Sequence, residues 1–96
     1  MAVHAAASDL ISSAVGGFKT RFFVLDETVV GDGNPNHHMV HAIVEILPGR
    51  SEELKSQLGE LVLGLLEASL TIPSPFSVQV TTEIRELHVY HQRVLP

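Results

Sequence analysis

The chain has 96 residues, enough for one domain with a modest core and too few for two. It is 45% hydrophobic with a formal net charge of -5, which disfavours a nucleic-acid partner, since such partners need a basic footprint. The absence of cysteine excludes disulfides and thiolate chemistry and fits a cytoplasmic protein. Met1 to Val15 carries no basic segment and too short an apolar run for a signal peptide or a membrane span, so no membrane partner is expected.

Taken in order, Val3, Ala6, Ala7, Leu10, Ile11 and Ala14 fall on one helical stripe, and Gly16-Gly17 supplies a C-terminal stop. Phe18 to Val30 reads as a strand. Phe18, Thr20, Phe22 and Val24 lie on one face and Lys19, Arg21, Phe23 and Leu25 on the other, so burial on both sides is expected. The run Gly31-Asp32-Gly33-Asn34-Pro35-Asn36 is dense in turn residues and should return the chain into a second strand, Val40 to Leu47, as an antiparallel partner.

That second strand closes at Pro48-Gly49, and Ser51 then offers a helix N-cap with Glu52 and Glu53 in the first turn, where carboxylates suit the positive end of the dipole. Leu54, Leu58, Leu61, Val62, Leu65 and Leu66 recur at helical spacing, while Glu53, Lys55, Ser56, Gln57, Glu60 and Glu67 cover the remaining surface. The run Thr71-Ile72-Pro73-Ser74-Pro75 breaks the helix. Beyond it Phe76, Val78, Val80, Thr82 and Ile84 alternate with Ser77, Gln79, Thr81, Glu83 and Arg85, the pattern of a half-buried strand. Strand, helix and strand of these lengths imply a parallel pair joined by a right-handed crossover.

The junction of that unit carries the functional signal. At the rim where a strand ends and a helix begins, free backbone N–H groups favour anions, and Arg50, just before the N-cap, adds a planar fork suited to a carboxylate. A solvated arginine paired with Glu53 or a nearby carboxylate is the plainer alternative. The histidines number six, with His37, His38 and His41 close together and His88 and His91 three apart. There is no His-Glu-x-x-His helix, so no metal is expected, and His37-His38 is placed at a loop tip. Asp32 to Asn36 fails as a calcium loop because His37 stands where glycine is required and Ile43 where glutamate is required.

The run Gly49-Arg50-Ser51-Glu52-Glu53-Leu54-Lys55, with Val40-His41 before it, Gly59-Glu60 in the helix and Glu83-Ile84-Arg85-Glu86-Leu87-His88 closing the last strand, resembles the 5-carboxymethyl-2-hydroxymuconate isomerase family of the tautomerase superfamily, which includes 4-oxalocrotonate tautomerase. The resemblance implies an α+β, two-layer fold of tandem βαβ units, here in the order helix, strand, strand, helix, strand, with the first strand missing and the helices on one face of a small mixed sheet. It spans most of the chain from Gly17 onward and, faintly, the helix before it, and residues 1 to 96 are expected to form a single tautomerase-like domain. It implies a cofactor-free isomerase acting on a small unsaturated 2-hydroxy or 2-oxo dicarboxylate, in the catabolism of aromatic compounds, by a homotrimer with sites between subunits.

On the same resemblance Arg50 and Arg21 are the candidate catalytic residues and Lys19, Arg21 and Arg50 the candidate substrate-binding ones. In the family two arginines stand two apart where this chain has Lys19 and Arg21, so Lys19 keeps the charge and departs from the bidentate geometry. The family's base is an N-terminal proline, whereas residue 2 here is alanine and Pro35 is the first proline. Two functions therefore stand side by side: an isomerase, or a non-catalytic oligomeric scaffold or anion binder of the same fold. The face bearing His41, Ile43, Glu45 and Leu47 has no layer of its own to cover it, and Gly59 and Gly64 inside the helix point to close packing there, so self-association is expected.

Overall fold

A computed structural model describes residues 2–13 and 15–96. Its elements are helix α1 (Ala2–Ile11), a 3-10 turn (Val15–Gly17), strand β1 (His37–Ile46), helix α2 (Glu52–Ser69) and strand β2 (Ser77–Glu86). The fold is α+β, with two helices and a parallel two-stranded sheet, consistent with a small tautomerase-like fold.

The unit β1-α2-β2 forms as its sequence implies. Gly49 at φ +117° makes the turn that a side chain would resist, and Ser51, extended at φ -67° and ψ 158°, accepts the Leu54 N–H on its hydroxyl at 3.1 Å. The strands pair in register His41↔Thr81, Ile43↔Glu83 and Glu45↔Arg85. Alternation then sends Val40, Ala42, Val44 and Ile46, with Val78, Val80, Thr82 and Ile84, toward the helical layer, and leaves His41, Ile43, Glu45, Leu47, Thr81, Glu83 and Arg85 exposed.

The core lies where α1 crosses α2 and both meet the end of β1: Ala7, Ile11, Ile46, Leu58 and Val62 are buried, with Val3, Leu10, Leu54, Leu66 and Ile84 packed around them. Leu58 is fully enclosed, so the apolar stripe of α2 faces its neighbours as the spacing predicts.

Several expectations are corrected. Among the described residues Phe18 to Val30 joins no ladder, so the antiparallel partner of β1 is missing and the sheet is parallel rather than mixed. α1 stops at Ile11, before Gly16-Gly17: Ser12 takes a left-handed φ of +54° and the Ser13 N–H bonds back to the Ser8 carbonyl at 3.1 Å, closing the helix end. Ala14, the last residue of the expected stripe, and Met1 lie outside the described residues. His37 and His38 open β1 instead of sitting at a loop tip; the turn before them is set by Gly31 and Gly33 at φ +58° and +84°. A Cβ at Gly59 would stand in ordinary van der Waals contact, 3.5 Å from the Thr82 hydroxyl and 3.6 Å from Ile84, and one at Gly64 would meet nothing within 4 Å, so neither glycine is required by close packing among the described residues. Lys55, assigned to the solvated side, is mostly covered and ties α2 to β2: its ammonium lies 2.6 Å from Glu52 and 3.3 Å from Glu86.

Candidate functional site

The rim between β1 and α2 holds the strongest candidate. Arg50 is half-buried, and its guanidinium turns inward, donating from Nη1 to the Leu47 carbonyl at 3.2 Å and from Nη2 to the Ile11 carbonyl at 3.3 Å. It thus clamps the end of β1 to the last turn of α1, whose carbonyls have no partner within the helix. Glu53 is not its partner among the described residues. Two of the five guanidinium N–H donors are used in this way, and the others remain for a further acceptor.

The other two cationic candidates stand apart from it. Lys19 donates to the Tyr90 hydroxyl at 3.0 Å, with its ammonium 5.7 Å from the centre of that ring, joining the irregular segment to the C-terminal stretch. Arg21 is exposed and has no ion-pair partner among the described residues. Because Phe18 to Val30 is not a strand here, no ladder fixes Lys19 and Arg21 on a shared face, and neither shares a partner with Arg50.

A second cluster, on the open face of the sheet, went unrecognised as a unit in the sequence. His41 Nδ1 lies 2.6 Å from the Thr81 hydroxyl on the opposite strand, and its Nε2 lies 3.8 Å from Glu83 Oε1. Arg85 grips the same carboxylate with Nε at 2.7 Å and Nη2 at 3.1 Å. The Arg85 hydrogen bonds hold the Glu83 carboxyl below its ordinary range, and Glu83 in turn raises Arg85. Lys55 is likewise raised, first by its bond to Glu52. The signal for the open-face cluster was the period-two alternation of both strands; what the sequence did not supply was the register that sets His41 opposite Thr81.

Among the described residues no three histidine, aspartate or glutamate side chains converge as metal ligands, and no helix is long and apolar enough to cross a membrane.

The βαβ unit, the helical layer on one sheet face and the arginine at the strand-to-helix rim together define a small α+β domain of the tautomerase type. A family model described as 5-carboxymethyl-2-hydroxymuconate isomerase matches residues 1–92, and the chain belongs to that family, a member of the tautomerase superfamily. The family is one of isomerases. No curated protein matches the chain, and no solved structure does.

Proposed function

We propose that this chain isomerises a small unsaturated 2-hydroxy or 2-oxo dicarboxylate by cofactor-free proton transfer, as in the breakdown of aromatic compounds, with Arg50 receiving a carboxylate at the β1-α2 rim. The observation that carries the reading is the position of Arg50 in a chain of this family: a half-buried guanidinium held in place by two backbone carbonyls, with donors to spare. A fixed cation there binds substrate without first being immobilised. Arg21, exposed on a segment without regular pairing, is the second catalytic cation and binds substrate with Lys19.

The assay follows the ultraviolet band of 2-hydroxymuconate or phenylenolpyruvate as it ketonises, comparing the chain with Arg50→Ala and Arg50→Lys. The expected outcome is a fall in kcat/KM of at least tenfold for alanine and partial recovery for lysine, which keeps the charge and loses the fork. Equal rates for all three remove Arg50 from the reaction.

A non-catalytic anion-binding scaffold is the second reading, and a specific observation favours it. Arg50 already serves the fold by bonding Ile11 and Leu47. No turnover together with carboxylate binding selects this reading. In either case we place the chain in a cytoplasmic homotrimer: the open sheet face leaves Met39, Ile43 and Leu47 exposed, a surface that further copies would cover.

A further inference from the structure

We infer that Lys55 is a specificity-determining residue of the Arg50 rim: by holding the carboxylates of Glu52 and Glu86 it keeps the rim receptive to a ligand with two carboxylates. The inference rests on the proposed reading of Arg50 as a carboxylate receptor, and names what lets that receptor take a dianion.

Three elements meet at this rim. β1 ends at Ile46, α2 begins at Glu52, and β2 ends at Glu86, which pairs with Ile46 in the ladder. The Leu87 N–H bonds the Ile46 carbonyl at 2.7 Å, which ties the end of β2 in place. Arg50 donates to the carbonyl of the next residue along β1, Leu47, at 3.2 Å. Glu86 therefore stands opposite the residue before the acceptor of Arg50, and Glu52 lies just beyond Arg50 in the chain. Carboxylates so placed oppose any anion that approaches the guanidinium.

Lys55 answers both of them. Its ammonium lies 2.6 Å from Glu52 Oε1 and 3.3 Å from Glu86 Oε1, and its side chain is only 15% exposed. A common surface pair has one partner and a mobile stem, whereas here the stem is covered and the head is shared between α2 and β2. The bond to Glu52, and further that to Glu86, raises the ammonium above its ordinary value, so it stays charged at neutral pH. Glu53, the other acid of the first turn, is exposed and has no ion pair among the described residues. The rim thus sets Arg50 and Lys55 against Glu52, Glu53 and Glu86. Without Lys55, Arg50 alone faces these carboxylates, and the potential at its unused donors becomes more negative.

The consequence scales with ligand charge. A change in local potential acts on a dianion with twice the energy it exerts on a monoanion, so a factor in affinity for one carboxylate is squared for two. A lysine that only braced the fold would alter both ligands by the same factor.

The test compares 2-hydroxymuconate, a dicarboxylate, with phenylenolpyruvate, a monocarboxylate, in the full chain and in Lys55→Met. KM should rise about threefold for phenylenolpyruvate and about tenfold for 2-hydroxymuconate at low salt, with kcat within about twofold of wild type. The gap should close as ionic strength rises to about 0.5 M. Lys55→Arg should restore both values. Lys55→Met combined with Glu86→Gln, which lacks the bridge and the unmasked carboxylate alike, should recover most of the dicarboxylate KM. Urea midpoints establish that each variant is folded under assay conditions. Equal losses for the two substrates, a gap indifferent to salt, or no recovery in the double variant overturns the inference and leaves Lys55 a brace between α2 and β2. A wild-type chain that turns over neither substrate defeats the isomerase reading instead. Calorimetry then makes the same comparison from the Kd of 2-oxoglutarate and of 2-oxopentanoate, which has the same carbon chain and a single carboxylate. A Lys55→Met chain with an unchanged preference between them, or a wild type that binds neither, overturns the inference on its own.

Discussion

Replacing Arg50 with alanine removes the two bonds that join the end of β1 to the end of α1, and its cost follows from their geometry. A hydrogen bond to a charged group contributes about 1.5 to 3 kcal/mol when well buried, and exposed ionic contacts contribute less than about 1. The bond to Leu47 is exposed at 3.2 Å and the bond to Ile11 part-buried at 3.3 Å, both longer than the strongest charge-assisted contacts. The first therefore contributes about 0.5 kcal/mol and the second about 1, a total of about 1.5 kcal/mol. For a domain of this size that lowers the melting temperature by about 6 to 12 °C.

Urea unfolding of the wild type, Arg50→Ala and Arg50→Lys measures the effect, with lysine recovering part of the loss through a single donor and an unchanged slope marking a pure change in stability. Hydrogen exchange locates it: protection should fall in Ala2–Ile11 and persist through the middle of Glu52–Ser69. An alanine variant within about 0.3 kcal/mol of wild type, with α1 still protected, refutes the clamp. If the clamp holds, kinetic losses in Arg50 variants count toward catalysis only at temperatures where each variant is folded.

Three further perturbations test the packing and the electrostatics. Leu58→Ala, at the one fully enclosed side chain among the described residues, should cost about 3 kcal/mol in urea unfolding, and a loss under about 1 would mean that the core sits elsewhere. Gly64→Ala should stabilise by about 1 kcal/mol, because helix propensity improves and the new methyl meets nothing within 4 Å; a destabilised variant would mean that another surface packs there. The Glu83 carboxyl, held below its ordinary value by Arg85, contributes stability that is complete above the unfolded carboxylate pKa and is lost as pH falls through the lower folded one. Glu83→Gln should therefore flatten the acid limb of stability measured from pH 7 to pH 3, and an unchanged limb would dissolve the pair.

The legible parts of the sequence were those where local chemistry and tertiary packing agree. Ser51 had to be an N-cap because a hydroxyl followed Pro48-Gly49 and preceded an acidic first turn, and the leucine stripe from Leu54 to Leu66 could bury only one way. Ser12 was illegible because a serine ends a helix through a left-handed backbone angle that glycine adopts more readily, and Gly16-Gly17 lay nearby as the obvious stop. Lys55 was misplaced because the stripe locates a side chain on the helix and says nothing about Glu86 arriving from the next strand. At the candidate site, Arg50 was found from its neighbours in the chain, but its bond to Ile11 spans the fold; His41, Thr81, Glu83 and Arg85 become one cluster only after the strands are set in register.

The segment from Phe18 to Val30 departs furthest from its pattern, and the reason bears on assembly. Its alternation places Phe22 and Val24 on one face and Phe23 and Leu25 on the other, so pairing with β1 would require an apolar layer on both sides. α1 and α2 supply a layer on one side only, and in the single chain Phe22, Phe23, Val24 and Leu25 remain 79%, 83%, 92% and 70% exposed. Such a run is a liability for a lone subunit and an asset for one whose open face meets another copy. Under the proposed self-association, Phe23→Glu should leave the unfolding transition of the single subunit almost untouched, because the ring has no burial to lose within it. Sedimentation should instead show the assembly shifting toward the single chain as a charge is forced into the covered layer. An undiminished assembly would take this segment out of the interface, and a lowered subunit stability would mean that the ring is packed within its own fold.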